Sequence, residues 1–390
     1  MRPGLILVVF AFLCPSARAQ KPEPKFEGKP LAYWVERLQK AETKEDRNRS
    51  AQAIVTFGPD SAAAVPALME MLNDLSDDYR KLVSEIMCMI GPGAKDAVPE
   101  LVKRLKERQT RKLLYETENS NINEMKNLIQ ILASIGPDAK NAVPALIATL
   151  TQTDSDVRDL AVLALCCIGP DAREAIPAIQ RVVKARIGVL EKRSEGQPLY
   201  FSTLETWNSD AFPYELHKIG PDVLPLLLEL LDERGVHGKG FAMREIAKLG
   251  PAAIKAAPKL AALLRNDHPN IRFHTAVVLW KIEKNPAVVP TLAKLLIEPV
   301  ETPIPSRAAQ MLGELGPDAV EAIPALREAA TVGFVVWIFQ SNRYLGYHYW
   351  GRNLSAEECK QVSRSRAYIE LGDAARQALD RILPESKPKE

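Results

Sequence analysis

The chain has 390 residues, of which 46% are hydrophobic and 26% are charged. Lysine and arginine number 51 against 49 aspartate and glutamate residues, so the formal net charge is +2 at pH 7. Because binding to a nucleic-acid backbone needs a surface dominated by positive charge, this balance argues against a general affinity for nucleic acid.

The N-terminus has the order of a secretory signal peptide over residues 1–19. Arg2 is followed by an apolar run from Leu5 to Cys14 and by the small-x-small sequence Ala17-Arg18-Ala19. We expect cleavage before Gln20, which would leave basic and acidic side chains equal in number. The apolar run is too short to span a bilayer. The sequence therefore predicts an exported protein, periplasmic or extracellular, with no membrane insertion after cleavage.

The segment that follows is short and charged. Residues 20–30, QKPEPKFEGKP, are spaced by proline, which is typical of a flexible leader. After them Leu31, Trp34 and Leu38 have the spacing of one helix face. We expect this helix to close the open end of the fold, with Trp34 in the core.

Seven Gly-Pro pairs divide the rest of the chain. They are Gly58-Pro59, Gly91-Pro92, Gly136-Pro137, Gly169-Pro170, Gly220-Pro221, Gly250-Pro251 and Gly316-Pro317. A second proline recurs at Pro66, Pro99, Pro144, Pro177, Pro225, Pro258, Pro290 and Pro324. A spacing near 33 residues, with two longer steps, indicates an array of repeats. One such unit cannot bury its own apolar face and must stack on its neighbours.

Each repeat is predicted to contain two helices. In the fourth repeat, apolar residues keep helical spacing up to a stop at Ile168-Gly169-Pro170. Glycine gives the backbone freedom to end the helix, and proline cannot continue it. In the third repeat the chain resumes at Val143-Pro144, where proline suits the start of a second helix.

One repeat lacks its Gly-Pro pair. After Trp280 the sequence has Asn285-Pro286 instead, although Pro290 keeps its place. We count this segment as a degenerate repeat.

The C-terminal part is predicted to close the array. Ser355 and Glu358 have capping-box spacing, and the helix expected after them, through Arg376 and Ile382, has the pattern of a half repeat. Residues 386–390 are predicted to be a disordered tail.

A basic residue recurs eleven positions before the glycine, often just after an acidic or amide residue. The basic residues are Arg47, Arg80, Arg158, Lys239 and Arg272, and their companions include Asp46, Asp78, Asp156 and Asn270. We interpret this pattern as a ladder between repeats, in which the acidic residue caps a helix start and the basic residue pairs with the neighbouring repeat.

The repeat resembles a known family. Its pattern of D-x-V-R, an Ala/Leu-rich helix to I-G-P, and then D-A-x-x-A-V-P-A-L is similar to the HEAT repeats of bacterial proteins, including the subgroup of the phycocyanobilin lyases. The resemblance covers roughly residues 30–385. It implies an all-α, armadillo-like α-solenoid over residues 31–385, a right-handed superhelix of about eight helix pairs. It implies no chemistry, because the matching positions are structural.

Three inserts interrupt the rhythm of the repeats. We call Glu107–Asn123 the first insert, Ser194–Tyr214 the second insert and Thr331–Asn353 the third insert. Insertions in a solenoid emerge on one face and often line the binding surface. The second and third inserts hold half of the chain's aromatic residues.

The aromatic residues of these two inserts form the candidate partner-binding site. Tyrosine and tryptophan rings give interfaces a large contact area and a group that can form a hydrogen bond. The candidates are Tyr200, Trp207, Trp337, Tyr344, Tyr347, His348, Tyr349 and Trp350. Two alternatives stay open: the third insert packs against the end of the solenoid, or the inserts bind a carbohydrate.

A basic ridge is a second candidate surface, directed toward an anionic partner. It would be formed on second helices two repeats apart, by residues that include Lys103, Arg104, Lys106, Arg108, Arg181, Lys184 and Arg186. The alternative is a solvated face whose charges are balanced by neighbouring residues.

Enzyme signatures are absent from the sequence: it has no HExxH, no GxSxG, no P-loop and no dinucleotide-binding glycine pattern. The HEAT-fold enzyme deoxyhypusine hydroxylase binds iron through repeated His-Glu pairs, whereas no histidine here adjoins a glutamate. The histidines are His217, His237, His268, His274 and His348. No CxxC motif occurs. We predict no catalytic residue, no metal site and no cofactor.

The sequence is therefore interpreted as an exported HEAT-repeat scaffold that binds a protein partner and is not an enzyme. The alternative is a ligand- or carbohydrate-binding protein, or an enzyme, that uses the second and third inserts as a pocket.

Overall fold

A computed structural model describes residues 24–73, 77–110, 118–194, 213–233, 235–298, 303–330 and 370–383. In these ranges the regular elements are helices, and the one extended pairing is a bridge between Phe26 and Lys29. The fold is an all-α solenoid of HEAT-like helical repeats, as the sequence predicts.

The first helices of the repeats are twelve to eighteen residues long. They are α2 (Lys44–Thr56), α4 (Asp77–Ile90), α6 (Glu118–Ile135), α8 (Ser155–Ile168), α11 (Val236–Leu249), α13 (Pro269–Glu283) and α15 (Ile304–Leu315).

The second helices begin with an apolar residue that precedes or lies near the second proline. They are α3 (Val65–Met71), α5 (Val98–Thr110), α7 (Val143–Thr149), α9 (Ile176–Ser194), α10 (Leu224–Asp232), α12 (Ala257–Leu263), α14 (Val288–Ile297) and α16 (323–330). The array begins with α1 (Leu31–Gln39), and α17 (370–382) follows the eighth repeat.

The chain divides into two compact units, residues 1–101 and residues 102–390. In the first unit α1 packs on α2, and α2 packs on α4. In the second unit α6 packs on α8, α11 on α13, and α13 on α15. Within each unit, a first helix therefore buries its apolar stripe against the first helices of adjacent repeats.

The Gly-Pro pairs end the first helices, as predicted. The seven glycines have φ values between 58° and 102°, a region that side chains other than glycine rarely adopt. In six repeats the pair opens a seven-residue 3₁₀ helix, such as Gly169–Ala175, which leads directly into the second helix. In the degenerate repeat Lys284 replaces the glycine, with φ 53°, and its ammonium lies 5.0 Å from the Trp280 ring.

The N-terminal helix has the aromatic core expected of it. Trp34 is 1% exposed, and its Nε1 donates to the Phe26 carbonyl at 3.2 Å. The Phe26 ring meets the indole edge-on, with 5.5 Å between centroids. Phe26 and Lys29, which fall in the predicted leader, form a tight turn that is packed on α1.

At the C-terminal end, α17 approaches α15 closely. A Cβ added at Gly313 would lie 2.9 Å from the Ala378 Cα, so only glycine allows this approach. Arg376 donates from Nη1 to the Ala330 carbonyl at 3.3 Å and ties α17 to the end of α16. The predicted capping residues Ser355 and Glu358 lie outside the described residues.

The ladder differs from our interpretation in the roles of its residues. The residue that caps α8 is Asp154, which accepts from the Val157 amide at 2.9 Å, whereas Asp156 pairs with Lys126 of the preceding first helix at 2.9 Å. Among the described residues, Arg158 forms no ion pair with the neighbouring repeat. It donates to two carbonyls of the link before its own helix, those of Gln152 at 2.7 Å and Thr153 at 2.6 Å.

Arg272 shares this arrangement in the seventh repeat and also pairs, through Nη2, with Glu298 in the link to the next repeat, as the ladder predicts for the basic residue. It donates from Nη1 to the carbonyls of Asn266 and Asp267, at 2.7 and 2.9 Å. In the fourth repeat the acidic residue thus joins the repeats, and in both repeats the arginine closes the link before its own helix, because a guanidinium is long enough to satisfy the carbonyls that a turn leaves unpaired.

Two glycines in different surroundings, one at a turn and one inside a helix, predict opposite effects of alanine substitution on stability. Gly169→Ala places a side chain at φ 83°, 3.4 Å from the Lys218 carbonyl, and we expect it to lower the free energy of unfolding by about 1–2 kcal/mol. Gly188→Ala, in the interior of α9 with open space around it, should raise the free energy of unfolding by about 0.5–1 kcal/mol. Urea unfolding measures both, and equal effects would contradict the assigned turn.

Candidate functional site

The eight candidate partner-binding residues lie outside the described part of the chain. Tyr200 and Trp207 fall between residues 194 and 213. The other six fall between residues 330 and 370: Trp337, Tyr344, Tyr347, His348, Tyr349 and Trp350. The site stays a prediction, and the structure defines the helices at both ends of each insert.

Both inserts begin at the end of a second helix. α9 ends at Ser194 and the described chain resumes at Pro213, whereas α16 ends at residue 330 and α17 begins at residue 370. In a stack of antiparallel helix pairs, such connections lie at one edge and the turns inside the pairs lie at the other. The two aromatic inserts therefore leave the second unit at the same edge. The chain returns from the second insert at residues 213–219, which directly precede Gly220 and lie beside the C-terminal part of α11, where Glu215 contacts Lys248 and His217 contacts Glu245.

The fifth repeat lacks most of a first helix in its described part. In the fourth repeat α8 fills the fourteen residues before Gly169. Before Gly220, the described residues 213–219 contain only the 3₁₀ turn Leu216–Ile219. This turn packs between α8 and α11, in the row of first helices.

Buried and partly buried polar side chains surround this turn, and we call them the polar centre. They belong to α8, α9, the 213–219 segment and α11, and they are Asp159, Arg186, Tyr214, His217, Arg244 and Glu245. Charged groups in a core require hydrogen-bond partners, so each contact within the polar centre constrains the elements that it joins.

Glu245 connects α11 to the 213–219 segment. Its side chain has no solvent exposure. Its Oε2 lies 3.0 Å from the His217 amide nitrogen and 2.9 Å from His217 Nδ1, and its Oε1 accepts from Arg244 Nε at 3.1 Å. Arg244 Nη2 in turn donates to the Tyr214 carbonyl at 3.0 Å. A buried carboxylate thus holds two groups of the same short segment.

Tyr214 connects the same segment to α8. Its hydroxyl donates to the carboxylate of Asp159, which also accepts from Arg186 of α9. Burial, reinforced by the bond to Asp159, raises the pKa of Tyr214 far above its ordinary value, so the phenol remains a neutral donor. The Tyr214 ring meets Phe241 of α11 edge-on, with 6.4 Å between centroids.

The N-terminal side of the second insert is also tied to α11. Glu191, near the end of α9, accepts from the His237 amide at 2.8 Å, where the positive end of the α11 dipole favours a carboxylate. A Cβ at Gly235 would lie 2.0 Å from Glu191 Oε1, so glycine is needed for this contact. Both ends of the second insert are therefore fastened to one helix.

The polar centre was not predicted from the sequence. No histidine adjoins a glutamate in sequence, whereas His217 and Glu245 are 28 residues apart and meet in space. The sequence does contain a signal. In the other repeats that have a full first helix and a Gly-Pro pair, the residue five positions before the glycine is apolar and buried. These residues are Ala53, Ile86, Ile131, Ala164 and Met311. Glu245 occupies that position in α11.

The polar centre is suited to anchoring rather than to binding a metal ion. Its two carboxylates, Asp159 and Glu245, already accept hydrogen bonds from other members. In the described ranges no group of three or more His, Cys, Asp or Glu side chains could hold a metal ion.

Several residues of the basic ridge are paired with carboxylates. Arg108 lies 2.8 Å from Glu124, Lys184 contacts Glu229, and Arg186 belongs to the polar centre. These pairs favour the alternative interpretation, a face whose charges are balanced by neighbouring residues.

No family model matches the chain, and no curated protein matches it. Among solved structures it is similar to the karyopherin Kap121p. The complex with Ste12p has a TM-score of 0.52 at 12% identity, the complex with Pho4p 0.52 at 13%, and the complex with the extreme C-terminus of the phosphatase Cdc14p 0.51 at 14%.

These matches cover 92%, 93% and 92% of the chain but only 42%, 40% and 39% of the Kap121p chains. At such identities the likeness concerns the fold alone, and it supports a HEAT-like helical repeat. None of the helices in the described ranges is long and apolar enough to cross a membrane.

His274 gives the protein a stability that depends on pH. The imidazole is buried beside Phe273, and burial together with the charge of Arg307 lowers its pKa to about 3, compared with about 6.5 in an unfolded chain. The neutral form is favoured in the fold, so this contribution is complete above pH ~6.5 and is lost as the pH falls toward 3. We expect the free energy of unfolding to fall by on the order of 1 kcal/mol between pH 6.5 and 5.5.

A His274→Leu variant provides the control. Urea unfolding across this range should show a shallower pH dependence in the variant. Some pH dependence of the free energy of unfolding should remain in the variant, because burial also lowers the pKa of His237 and His268. The same slope in the variant and the wild type would contradict the assignment to His274.

Proposed function

We propose that the chain is a scaffold that binds another protein through its second and third inserts. The observation that carries this proposal is the position of the inserts: both start at the end of a second helix, at one edge of the second unit. Two aromatic-rich segments at one edge are able to contact one partner together, and the second contact then forms at a high effective concentration.

The fold supports a binding role. A solenoid offers an extended surface that does not depend on a single cavity. The titles of the similar structures describe Kap121p bound to Ste12p, to Pho4p and to the C-terminus of Cdc14p. We take from them only that a helical stack of this type can hold another protein.

We propose no catalysis for the chain. The sequence lacks the motifs of the common hydrolases, kinases and dinucleotide-binding enzymes. In the polar centre, a cluster of titratable side chains among the described residues, both carboxylates accept hydrogen bonds from other members of the cluster. Its chemistry is that of an anchor.

We also propose that the protein works outside the cytoplasm, in the periplasm or beyond it. The support is the order of residues 1–19, in which a basic residue precedes an apolar run and a small-x-small sequence. The partner is then expected among envelope or extracellular proteins.

A triple alanine variant tests the proposed function. Residues 20–390 serve as bait in an envelope extract, and we expect Tyr347→Ala, Tyr349→Ala and Trp350→Ala together to reduce the retained partner at least about tenfold, since aromatic residues carry much of the energy of interfaces. Circular dichroism and the melting temperature should stay nearly unchanged.

The matched control changes exposed apolar residues at the opposite edge. Ile254 and Val320 are 45% and 51% exposed and lie in the 3₁₀ turns of two repeats. Ile254→Ser with Val320→Ser should retain the partner as the wild type does. Equal loss in both variants, or no loss in the triple variant, would contradict the proposal, and unfolding of the triple variant would place those aromatic residues in the core.

The export proposal has its own test. Expression of the full chain in a bacterial host should give a mature protein that begins at Gln20, and replacing Ala17 and Ala19 with leucine should leave the precursor uncut, because the cleavage site needs small residues. Mass spectrometry of the envelope fraction measures both. An uncut wild-type chain confined to the cytoplasm would overturn this proposal.

A further inference from the structure

We propose that a groove between α15 and α17 binds a small zwitterion, namely a free α-amino acid. The groove has a volume of about 220 Å³ and is lined by residues of these two helices. It includes no residue of the polar centre and none of the aromatic candidates. The inference is therefore independent of the proposed function, and either can fail without the other.

Small residues form the floor of the groove. α15 contributes Gly313, and α17 contributes Ala374 and Ala378. The two helices approach so closely here that a Cβ added at Gly313 would lie 2.9 Å from the Ala378 Cα. Because these residues have little or no side chain, the longer side chains on either side of them enclose a space that the protein does not fill.

Polar side chains form the rim of the groove. Gln310 and Glu314 belong to α15, and Gln377 and Arg381 belong to α17. All four are exposed, so a ligand can reach them from water. The Arg381 Cδ would lie 3.5 Å from a Cβ at Gly313, which shows that the apolar stem of Arg381 packs on α15 and directs its charge along the groove.

The rim carries one charge of each sign, and neither is neutralised by a described residue. Glu314 and Arg381 line the same groove, but among the described residues neither forms an ion pair or a side-chain hydrogen bond. Arg376 of α17, in contrast, pairs with Asp373. Opposite charges that face one groove without meeting are complementary to a molecule that carries both charges.

The size and the polar groups of the groove select the class of ligand. Pockets for drug-sized molecules measure roughly 300–1,000 Å³, so this groove is suited to a smaller molecule. The Arg381 guanidinium can donate two hydrogen bonds to one carboxylate, and the Glu314 carboxylate can accept from an ammonium group. A simple anion or a simple cation would leave one of these two charges without a partner, whereas an α-amino acid binds both.

Binding has a consequence for the C-terminal end of the solenoid. A ligand that contacts Glu314 and Arg381 together makes both contacts only while α17 is packed on α15. It therefore raises the equilibrium constant for this packing by the factor 1 + [L]/Kd. With the ligand at ten times its Kd, the separation of α17 from α15 should become about elevenfold rarer.

The test titrates the full chain with L-serine and follows binding by ligand-observed NMR. We expect a Kd on the order of 1 mM, because both protein charges are exposed and well hydrated. N-acetyl-L-serine lacks the ammonium group and L-serinamide lacks the carboxylate, so each should bind at least about fivefold more weakly. With L-serine at ten times its Kd, amide hydrogen exchange in residues 371–382 should slow about tenfold, while residues 257–297 keep their rates.

Two variants and two matched controls locate the site. Glu314→Gln and Arg381→Gln each replace a charge with a neutral amide, and each should weaken L-serine binding at least about fivefold. Glu174→Gln and Arg265→Gln make the same changes at exposed residues outside the groove, and they should bind L-serine as the wild type does. Circular dichroism should be the same for all four variants, since each substitution is on the surface.

Three results would overturn the inference. The first is the absence of saturable L-serine binding to the wild type, and the second is equal affinity for L-serine and either of its derivatives. The third is wild-type affinity in both Glu314→Gln and Arg381→Gln, which would place the site elsewhere. The derivatives are tested on the wild-type chain, so their result does not depend on the folding of any variant. Because no partner protein is involved, failure here leaves the proposed function untouched.

Discussion

The whole structure depends on apolar helix faces that can be buried only by neighbouring repeats. α8 keeps Val157, Ala161 and Leu165 out of water because other helices pack on it, and no pair of helices this short would be stable alone. The contacts are made between elements that are close in sequence. A change in the length of one link therefore disturbs only the repeats beside it, which is why a solenoid accommodates inserts that would break a compact core.

The described part of the fifth repeat departs from this packing of apolar helix faces. The described part of the repeat places one short 3₁₀ turn between α8 and α11. Beside this turn, the Glu245 carboxylate occupies a position where other repeats have an apolar side chain, and the Arg244 guanidinium and the Tyr214 phenol lie close to the same turn. Apolar residues would fill such a space with less desolvation cost. They would not, however, fix the turn in one position, whereas Glu245 has to meet both His217 and Arg244. The buried polar groups provide specificity of position rather than additional stability.

Much of the fold could be predicted because it depends on the local backbone preferences of glycine and proline. Glycine at positive φ followed by proline specifies a turn locally, so helix ends such as Ile168 were predicted correctly. The ladder was harder, since sequence spacing shows that Asp156 and Arg158 are near a helix start but not which atoms they face. The polar centre depends on contacts between residues 27 to 55 positions apart, which no periodicity encodes. The inserts lack periodicity altogether, and their aromatic composition predicts a role but not a position.

The two edges of the stack are under different constraints, and this difference explains where binding residues can accumulate. At the Gly-Pro edge, six repeats use the same seven-residue 3₁₀ helix, so its length and backbone are fixed by the geometry that joins the two helices of a pair. At the other edge the connection varies from the short link between Thr149 and Ser155 to the long connection between residues 330 and 370. Only the second edge can change in length and composition without breaking a helix pair. A sequence that acquires a partner would therefore place its recognition residues there, and the polar centre lies beside the connection after which the described chain resumes with only a short 3₁₀ turn.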